Sequence, residues 1–269
     1  MNYTHLRAVV LDWAGTTVDH GSLAPVVALE RVFAENGVEI ASAEARKNMG
    51  VLKKDQIRFI LAGERVNHAW QAKHGRAPAE EDVERLYTEF IPKQAGVLAE
   101  FSAPIPGVCE TVEAWKAAGL RIGSTTGYPR QLLDVVEAAA ARQGYLPEAS
   151  VTPDEVGAGR PAPFMCYRNA ILLGVYPLWC SVKIGDTPAD IAEGLNAGMW
   201  TIALTETGNE IGLSLHDWEA LPKGDRAARA RNAGRRLMDA GAHYTAPSLA
   251  GCTELLADIE RRIDAGEKP

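Results

Sequence analysis

The chain contains no CxxC pair, and its four cysteines, Cys109, Cys166, Cys180 and Cys252, lie far apart. That spacing excludes zinc-finger and thioredoxin-type motifs. It leaves reduced thiols in a cytoplasmic protein as the expected state, since stable disulfides are rare in that compartment. No apolar run approaches the roughly 20 residues a membrane helix needs. The opening stretch, MNYTHLRAVVLDW, lacks a basic patch, a long apolar segment and a small-residue cleavage site, so no signal peptide is expected. Positive charge is in deficit: 28 Lys and Arg stand against 35 Asp and Glu, for a net charge of −7. Nucleic acids and anionic membranes attract basic surfaces, so neither is an expected partner. A small anionic substrate stays open, because a few local cations can outweigh the overall charge. There is no internal repeat and no low-complexity segment.

What is present is an ordinary globular balance, 46% apolar and 23% charged residues, over 269 positions. That length suits one large domain, or a core with a smaller insert. Leu6 to Trp13 contains the short apolar run Ala8-Val9-Val10-Leu11, stopped by Ala14-Gly15-Thr16, and reads as a strand buried on both faces. From about residue 20 to 100 only helical spacing appears. One helix ends at Gly37. A second starts at Ser42 as N-cap and runs toward Met49-Gly50. Further helices cover Lys53–Leu61, Ala69–His74 and Glu80–Glu100. After Pro106, strands and helices alternate. Strands are expected at Leu120–Thr125, Ala149–Thr152, Cys180–Ile184, Trp200–Leu204 and His243–Thr245, and helices at Val108–Ala118, from Pro129, at Pro163–Leu173, Ala189–Ala197, Asp225–Ala240 and from Ser248. This alternation predicts an α/β fold: a doubly wound, Rossmann-like parallel-sheet core with a small helical cap inserted after the first strand. Residues 1–20 and 101–269 would form the core and 21–100 the cap.

Ligands of such sheets sit at the carboxyl ends of the strands. Asp12, Thr125-Thr126 and Asp186 all follow strand ends, so they are expected to converge. Two acidic turns, DWAGTT at 12–17 and GDTPAD at 185–190, flank a hydroxyl turn, STTG at 124–127, and a cationic turn, GAGRPAP at 157–163. A carboxylate such as Asp12 can attack phosphorus and form an acyl phosphate. Both partners are anionic, so the attack needs a hard cation on oxygen ligands, and Mg²⁺ suits a site with one or two carboxylates. Asp186 is the natural second ligand. Thr126 and Arg160 can hold phosphoryl oxygens.

In this order on successive strands, the four turns resemble the motifs of the haloacid dehalogenase superfamily of phosphotransferases. The first motif of that family is usually Asp-x-Asp-Gly-Thr; here it reads DWAGT. Thr126 matches the second motif, Arg160 the third, and Asp186 with Asp190 the fourth. The departure lies at Ala14, where phosphatases of the family carry the Asp that protonates the leaving oxygen. Alanine does no acid–base work.

Further segments, NMGVLKKD at 48–55, GSTTGY at 123–128 and GRPAPFM at 159–165, resemble the phosphonoacetaldehyde hydrolase (phosphonatase) family of that superfamily. The resemblance implies a hydrolase that cleaves the C–P bond of a small phosphonate, phosphonoacetaldehyde, in 2-aminoethylphosphonate degradation. It implies a Schiff base on Lys53, and Mg²⁺ held by Asp12, Asp186 and the backbone carbonyl of Ala14. It also implies substrate contacts from Thr126, Gly127, Arg160 and Met49, a supporting Asp190, and a homodimer formed through the cap. An iminium takes up the electrons of the breaking C–P bond. No leaving oxygen is then present, which accounts for Ala14. Lys53 must be neutral to react, so burial or nearby cations such as Lys54 or Arg160 should lower its pKa. Members of the family often place His three residues after the lysine; here the residue is Gln56.

Bland alternatives stand beside these. Asp186 and Asp190 also suit a helix N-terminus, which favours acids. Met49 suits either the lysine's pocket or plain core. The six histidines show no ligand spacing, and Lys223–Arg236 reads as a solvated helix face. Two other functions remain in view: another Mg²⁺-dependent capped phosphatase or phosphomutase of the superfamily, which Ala14 disfavours, and a non-catalytic phosphate-binding relative.

Overall fold

A computed structural model describes residues 3–269. Six parallel strands form one sheet in the order β3-β2-β1-β4-β5-β6. They are β1 (Ala8–Leu11), β2 (Arg121–Thr125), β3 (Ala149–Val151), β4 (Ser181–Gly185), β5 (Trp200–Leu204) and β6 (Tyr244–Ala246). Alternate side chains of a strand point to opposite faces, and both faces are covered. Val9, Leu11, Val182, Ile184, Ile202 and Leu204 join one large core with α6 (Val108–Ala117), α7 (Arg130–Ala141) and α12 (Thr253–Asp264). On the other face Ala8, Val10 and Ala203 meet α8 (Phe164–Leu173), α9 (Pro188–Asn196) and α11 (Lys223–Asp239). This is the doubly wound sheet that the alternation predicted.

The register sets the site. β1 lies between β2 and β4, with Leu11 opposite both Ser124 and Ile184. The chain beyond those positions therefore emerges at one edge of the sheet, carrying Asp12, Thr126 and Asp186 together.

Between β1 and α6 come five helices: α1 (Ala24–Glu35), α2 (Ser42–Arg46), α3 (Lys53–Ala62), α4 (Glu64–His74) and α5 (Glu80–Phe101). Helix α5 packs along α1 and α3 and also against α7, so Leu29, Phe33, Ile57, Trp70, Leu86 and Phe90 are continuous with the large core on that face of the sheet.

Several boundaries differ from the sequence reading. Helix α2 stops at Arg46 rather than near Gly50, because Asn48 (φ 59°) and Gly50 (φ 91°) are left-handed, a region that Asn and Gly enter at least cost. Its N-cap position is Ala41, whose N–H the Glu44 carboxylate accepts at 2.8 Å. Helix α4 begins at Glu64 rather than Ala69. Helix α10 (Leu215–Ala220) was not expected; the Ser214 hydroxyl caps it, accepting from Asp217 N at 3.1 Å. Among the described residues, no helix is long and apolar enough to cross a membrane.

Candidate active site

Asp12 is the first residue past β1. Its N–H donates to Ile184 O at 3.0 Å, which continues the ladder for one step. The chain then turns tightly: the N–H groups of Thr16, Thr17 and Val18 all point at Trp13 O, and Thr17 Oγ1 donates to Asp12 O at 3.0 Å. Buried Trp13 anchors the turn by donating from its indole to Ser124 Oγ at 2.7 Å. The Ala14 carbonyl accepts no hydrogen bond among the described residues, and Ala14 lines the cavity in front of Asp12.

Asp186 follows β4. It accepts from Thr16 Oγ1 at 3.2 Å and from the backbone N–H of Asn209 at 2.7 Å. Asp190 sits in the first turn of α9, and Thr187 and Asp190 cap that helix reciprocally: Asp190 N donates to Thr187 Oγ1 at 3.3 Å, and Thr187 Oγ1 to Asp190 Oδ2 at 2.6 Å. The capping alternative for Asp190 thus holds for one of its oxygens. The other, Oδ1, faces Arg160 at 2.9 Å and Lys183 at 3.0 Å.

Arg160 ties the site together. Its buried guanidinium reaches Asp12 Oδ1 at 2.7 Å, Asp190 Oδ1 at 2.9 Å and Glu193 Oε2 at 3.0 Å, and donates to Thr125 Oγ1 at 2.8 Å. Its rigid, planar five-donor fork meets all three carboxylates in one fixed geometry, which a freely rotating ammonium would not impose.

Oxygens of Asp12, Asp186 and Asp190 all lie within 4.8 Å of one another. Burial pushes the Asp12 and Asp186 carboxyls above the ordinary carboxylate range, and repulsion from neighbouring acids pushes the same way. For Asp190, burial is outweighed by Arg160 and Lys183, and its pKa falls. Four buried carboxyl groups (Asp12, Asp186, Asp190 and Glu193) face two buried cationic side chains (Arg160 and Lys183), so acids outnumber cations by two. The donor set is all oxygen, so the residues fit a hard divalent cation.

Met49, Gly50 and Lys53 line the site as well. Lys53, the first residue of α3, is only 3% exposed. Its amine donates to Gln56 Oε1 at 2.9 Å and lies 3.5 Å from Met49 Sδ. The Gln56 amide is oriented by its own donation to Ala45 O at 2.7 Å. The Lys53 pKa falls to about 7, chiefly through burial and secondarily through Arg160, with Asp12 opposing. Lys54 plays no part in that shift. It turns outward to Glu84 at 2.7 Å and over the Tyr87 ring. The Thr126 hydroxyl accepts from Tyr128 N at 3.1 Å. Gly127 lies so close to the insert that a Cβ there would stand 2.9 Å from Val51 O. Asp12, Ala14, Met49, Lys53, Thr126, Gly127 and Arg160 all line one narrow cavity of about 20 Å³, smaller than the ~300–1,000 Å³ usual for small-ligand sites.

A family model described as haloacid dehalogenase-like hydrolase matches residues 6–198. The chain belongs to the haloacid dehalogenase-like hydrolase family. It is therefore an enzyme of the hydrolase class. It is similar to a phosphonoacetaldehyde hydrolase of Nitratidesulfovibrio vulgaris, 46% identical over 98% of this chain and 94% of the relative. A bifunctional phosphonoacetaldehyde hydrolase/aminoethylphosphonate transaminase of Clostridioides difficile is 44% identical over 95% of this chain and 40% of that longer protein. The crystal structure of a phosphonoacetaldehyde hydrolase-like protein from Oleispira antarctica superposes with a TM-score of 0.97 at 40% identity, covering 100% of this chain and 98% of that one.

Three members of the site went unread in the sequence. Lys183 lies inside β4, yet a lysine in a strand buried on both faces needs a partner, and that is a usable signal. Glu193 stands three residues after Asp190, on the same face of α9. Asn209 meets Asp186 through its backbone N–H, a contact that no side-chain signature announces.

Proposed function

We propose that the chain hydrolyses phosphonoacetaldehyde to acetaldehyde and phosphate, using Lys53 as the imine-forming amine and Asp12 as the nucleophile at phosphorus. The observation that supports this most is the shared cavity: a buried lysine with a pKa near 7 opens into the same small space as Asp12 and Arg160. An amine in its neutral form at physiological pH condenses with an aldehyde, and a carboxylate beside an anion-holding guanidinium suits phosphorus.

The steps balance as follows. The neutral Lys53 amine adds to the aldehyde, the adduct takes up one proton from solvent, and water leaves to give a protonated imine. Asp12 attacks phosphorus while the C–P electron pair moves onto carbon and through to the imine nitrogen, leaving an enamine. That enamine takes a proton on carbon, and water returns to free acetaldehyde and the Lys53 amine. A second water cleaves the aspartyl phosphate. Thr126, Arg160 and the Gly127 backbone hold the phosphonate oxygens, Met49 walls the lysine, and Asp190 supports Arg160. Asp12, Asp186 and the Ala14 carbonyl would hold Mg²⁺, which supplies charge neutralisation between two anionic reactants. Alanine at position 14 suits this chemistry, because the leaving atom is carbon and no alkoxide needs a proton.

In this reading residues 21–100 form a cap over a core made of the rest, and the protein works as a homodimer in the cytoplasm, where its four unpaired cysteines would stay reduced. The fused relative supports a place in 2-aminoethylphosphonate breakdown, since it carries the hydrolase beside an aminoethylphosphonate transaminase. The test is phosphate release from phosphonoacetaldehyde by wild type and Lys53→Arg. The reading expects turnover by the wild type and none by the variant; release from simple phosphate esters alone would move the assignment to another capped phosphatase.

A further inference from the structure

Helix α2 ends in Arg46, and this one side chain spans the seam between insert and core. From Nη1 it donates to Gly21 O at 2.7 Å, to Ser22 O at 3.3 Å and to Asn209 Oδ1 at 3.2 Å; from Nη2 it donates to Gly212 O at 3.3 Å. Gly21 lies where the chain leaves the core for the insert, while Asn209 and Gly212 belong to the core segment after β5. The side chain is half-buried, with Asp19, Asp186, Glu30 and Glu210 near enough to favour its charge.

The segment it grips is also the seat of Asp186. The Asn209 N–H donates to Asp186 Oδ2 at 2.7 Å. Gly208 packs under the same carboxylate, where a Cβ would stand 2.2 Å from Asp186 Cβ, so no other residue fits there without displacing Asp186. Thr207 closes the ring: its hydroxyl donates to Gly15 O at 2.8 Å, in the turn after Asp12, and its carbonyl accepts from Gly21 N at 2.7 Å. Three consecutive residues thus touch the exit to the insert, the turn after Asp12, and Asp186.

We infer that Arg46 and Asn209 form a latch that makes seating of the helical insert and orientation of Asp186 one coupled event. Neither side chain lines the cavity, so both are positioning residues. When the insert sits down, Arg46 fixes Asn209 from one side, and Asn209 holds the Asp186 oxygen from the other. When the insert lifts, the guanidinium leaves, and residues 207–209 lose the contact that pins them. The guanidinium fork reaches four acceptors on two separate segments; a lysine ammonium on its single point of charge does not reproduce that geometry. The role of this coupling in turnover rests on the proposed function, but the coupling itself does not.

The experiment compares wild type, Arg46→Lys, Asn209→Ala and the double variant, with Asn209→Ser as the milder replacement if Asn209→Ala does not fold. Hydrogen exchange on the metal-free protein reads residues 19–22 and 207–213 separately, and calorimetry reads Mg²⁺ binding. The latch predicts that each single variant speeds exchange in both segments together by about tenfold, as a local opening released by one or two charge-assisted bonds would. It also predicts weaker Mg²⁺ binding, and a double variant no worse than the poorer single one, since the two side chains act as a unit. Faster exchange at 19–22 alone with unchanged Mg²⁺ affinity would overturn it, as would single effects that simply multiply. Failure of the wild type to act on phosphonoacetaldehyde would sink the proposed function and leave these readings intact.

Discussion

The amine of Lys53 donates to the side-chain oxygen of Gln56 at 2.9 Å, one turn further along α3. Gln56 is itself held by its donation to Ala45 O, so it presents an acceptor, and only an acceptor, to the lysine. A neutral amide has no proton that titrates near pH 7. Gln56 therefore orients the amine without relaying protons, and burial rather than any neighbouring cation does most to hold Lys53 near pH 7.

Replacing that acceptor by an anion should be visible in a pH profile. Gln56→Glu places a carboxylate against the ammonium, and an opposite charge at that range raises a lysine pKa by about 1–3 units. Only the neutral amine condenses with an aldehyde. The acid-side limb of imine formation should therefore lie near pH 7 in the wild type and move to higher pH in the variant. A limb that stays in place would mean that Lys53 does not control it.

Removing the nucleophile should separate the two half-reactions. Asp12→Ala should lower phosphate release by about 10⁴-fold or more, the scale seen when a covalent nucleophile is deleted. Imine formation should survive. Asp12 is the group that favours the Lys53 ammonium, so trapping should persist at lower pH than in the wild type. A loss of only a few-fold in phosphate release would contradict the assignment.

Arg160 pairs with three buried carboxylates, and its side chain is 1% exposed. Deleting one partner of a buried ionic cluster leaves charges uncompensated and costs about 3–5 kcal/mol. Arg160→Met should show this as a lower midpoint in urea with an unchanged slope, alongside lost turnover. Stability within about 0.5 kcal/mol of wild type, as for an ordinary surface change, would mean the cluster does not depend on it.

The carboxylates should make stability depend on both pH and Mg²⁺. Asp12 and Asp186 have folded-state pKa values raised above the unfolded ones. Over the interval between the two, the folded state binds more protons, so the metal-free protein loses stability as pH rises through it. A cation that binds only the folded state adds about 2.7 kcal/mol at a hundred times its dissociation constant. Melting curves with and without Mg²⁺ should thus diverge as pH rises, and the gap should shrink in Asp186→Asn. Parallel curves at all pH values would argue against a metal at these acids.

The sheet and the edge that carries the site were legible because strands buried on both faces make short apolar runs, and each relevant run stops at a chemically distinct turn. Asp12, Thr126, Arg160 and Asp186 could be read from those turns. Lys53 could not: in α3 it looks like any helical lysine, and only the resemblance of its segment to a known family singled it out. The end of α2 was missed because Asn48 and Gly50 take left-handed angles that helical spacing does not encode. The hold of Asn209 on Asp186 was unreadable because it is made by a backbone N–H, and backbone donors follow from tertiary packing alone.

The central claim is that Lys53 and Asp12 act on one small aldehyde-bearing phosphonate, and borohydride trapping tests it most directly. Protein incubated with phosphonoacetaldehyde and Mg²⁺ is reduced, digested and mapped by mass spectrometry, with phosphate measured in an unreduced control. The account predicts a reduced two-carbon adduct on Lys53 together with phosphate release. Phosphate release with no adduct on Lys53, or an adduct confined to exposed lysines such as Lys54, would contradict it.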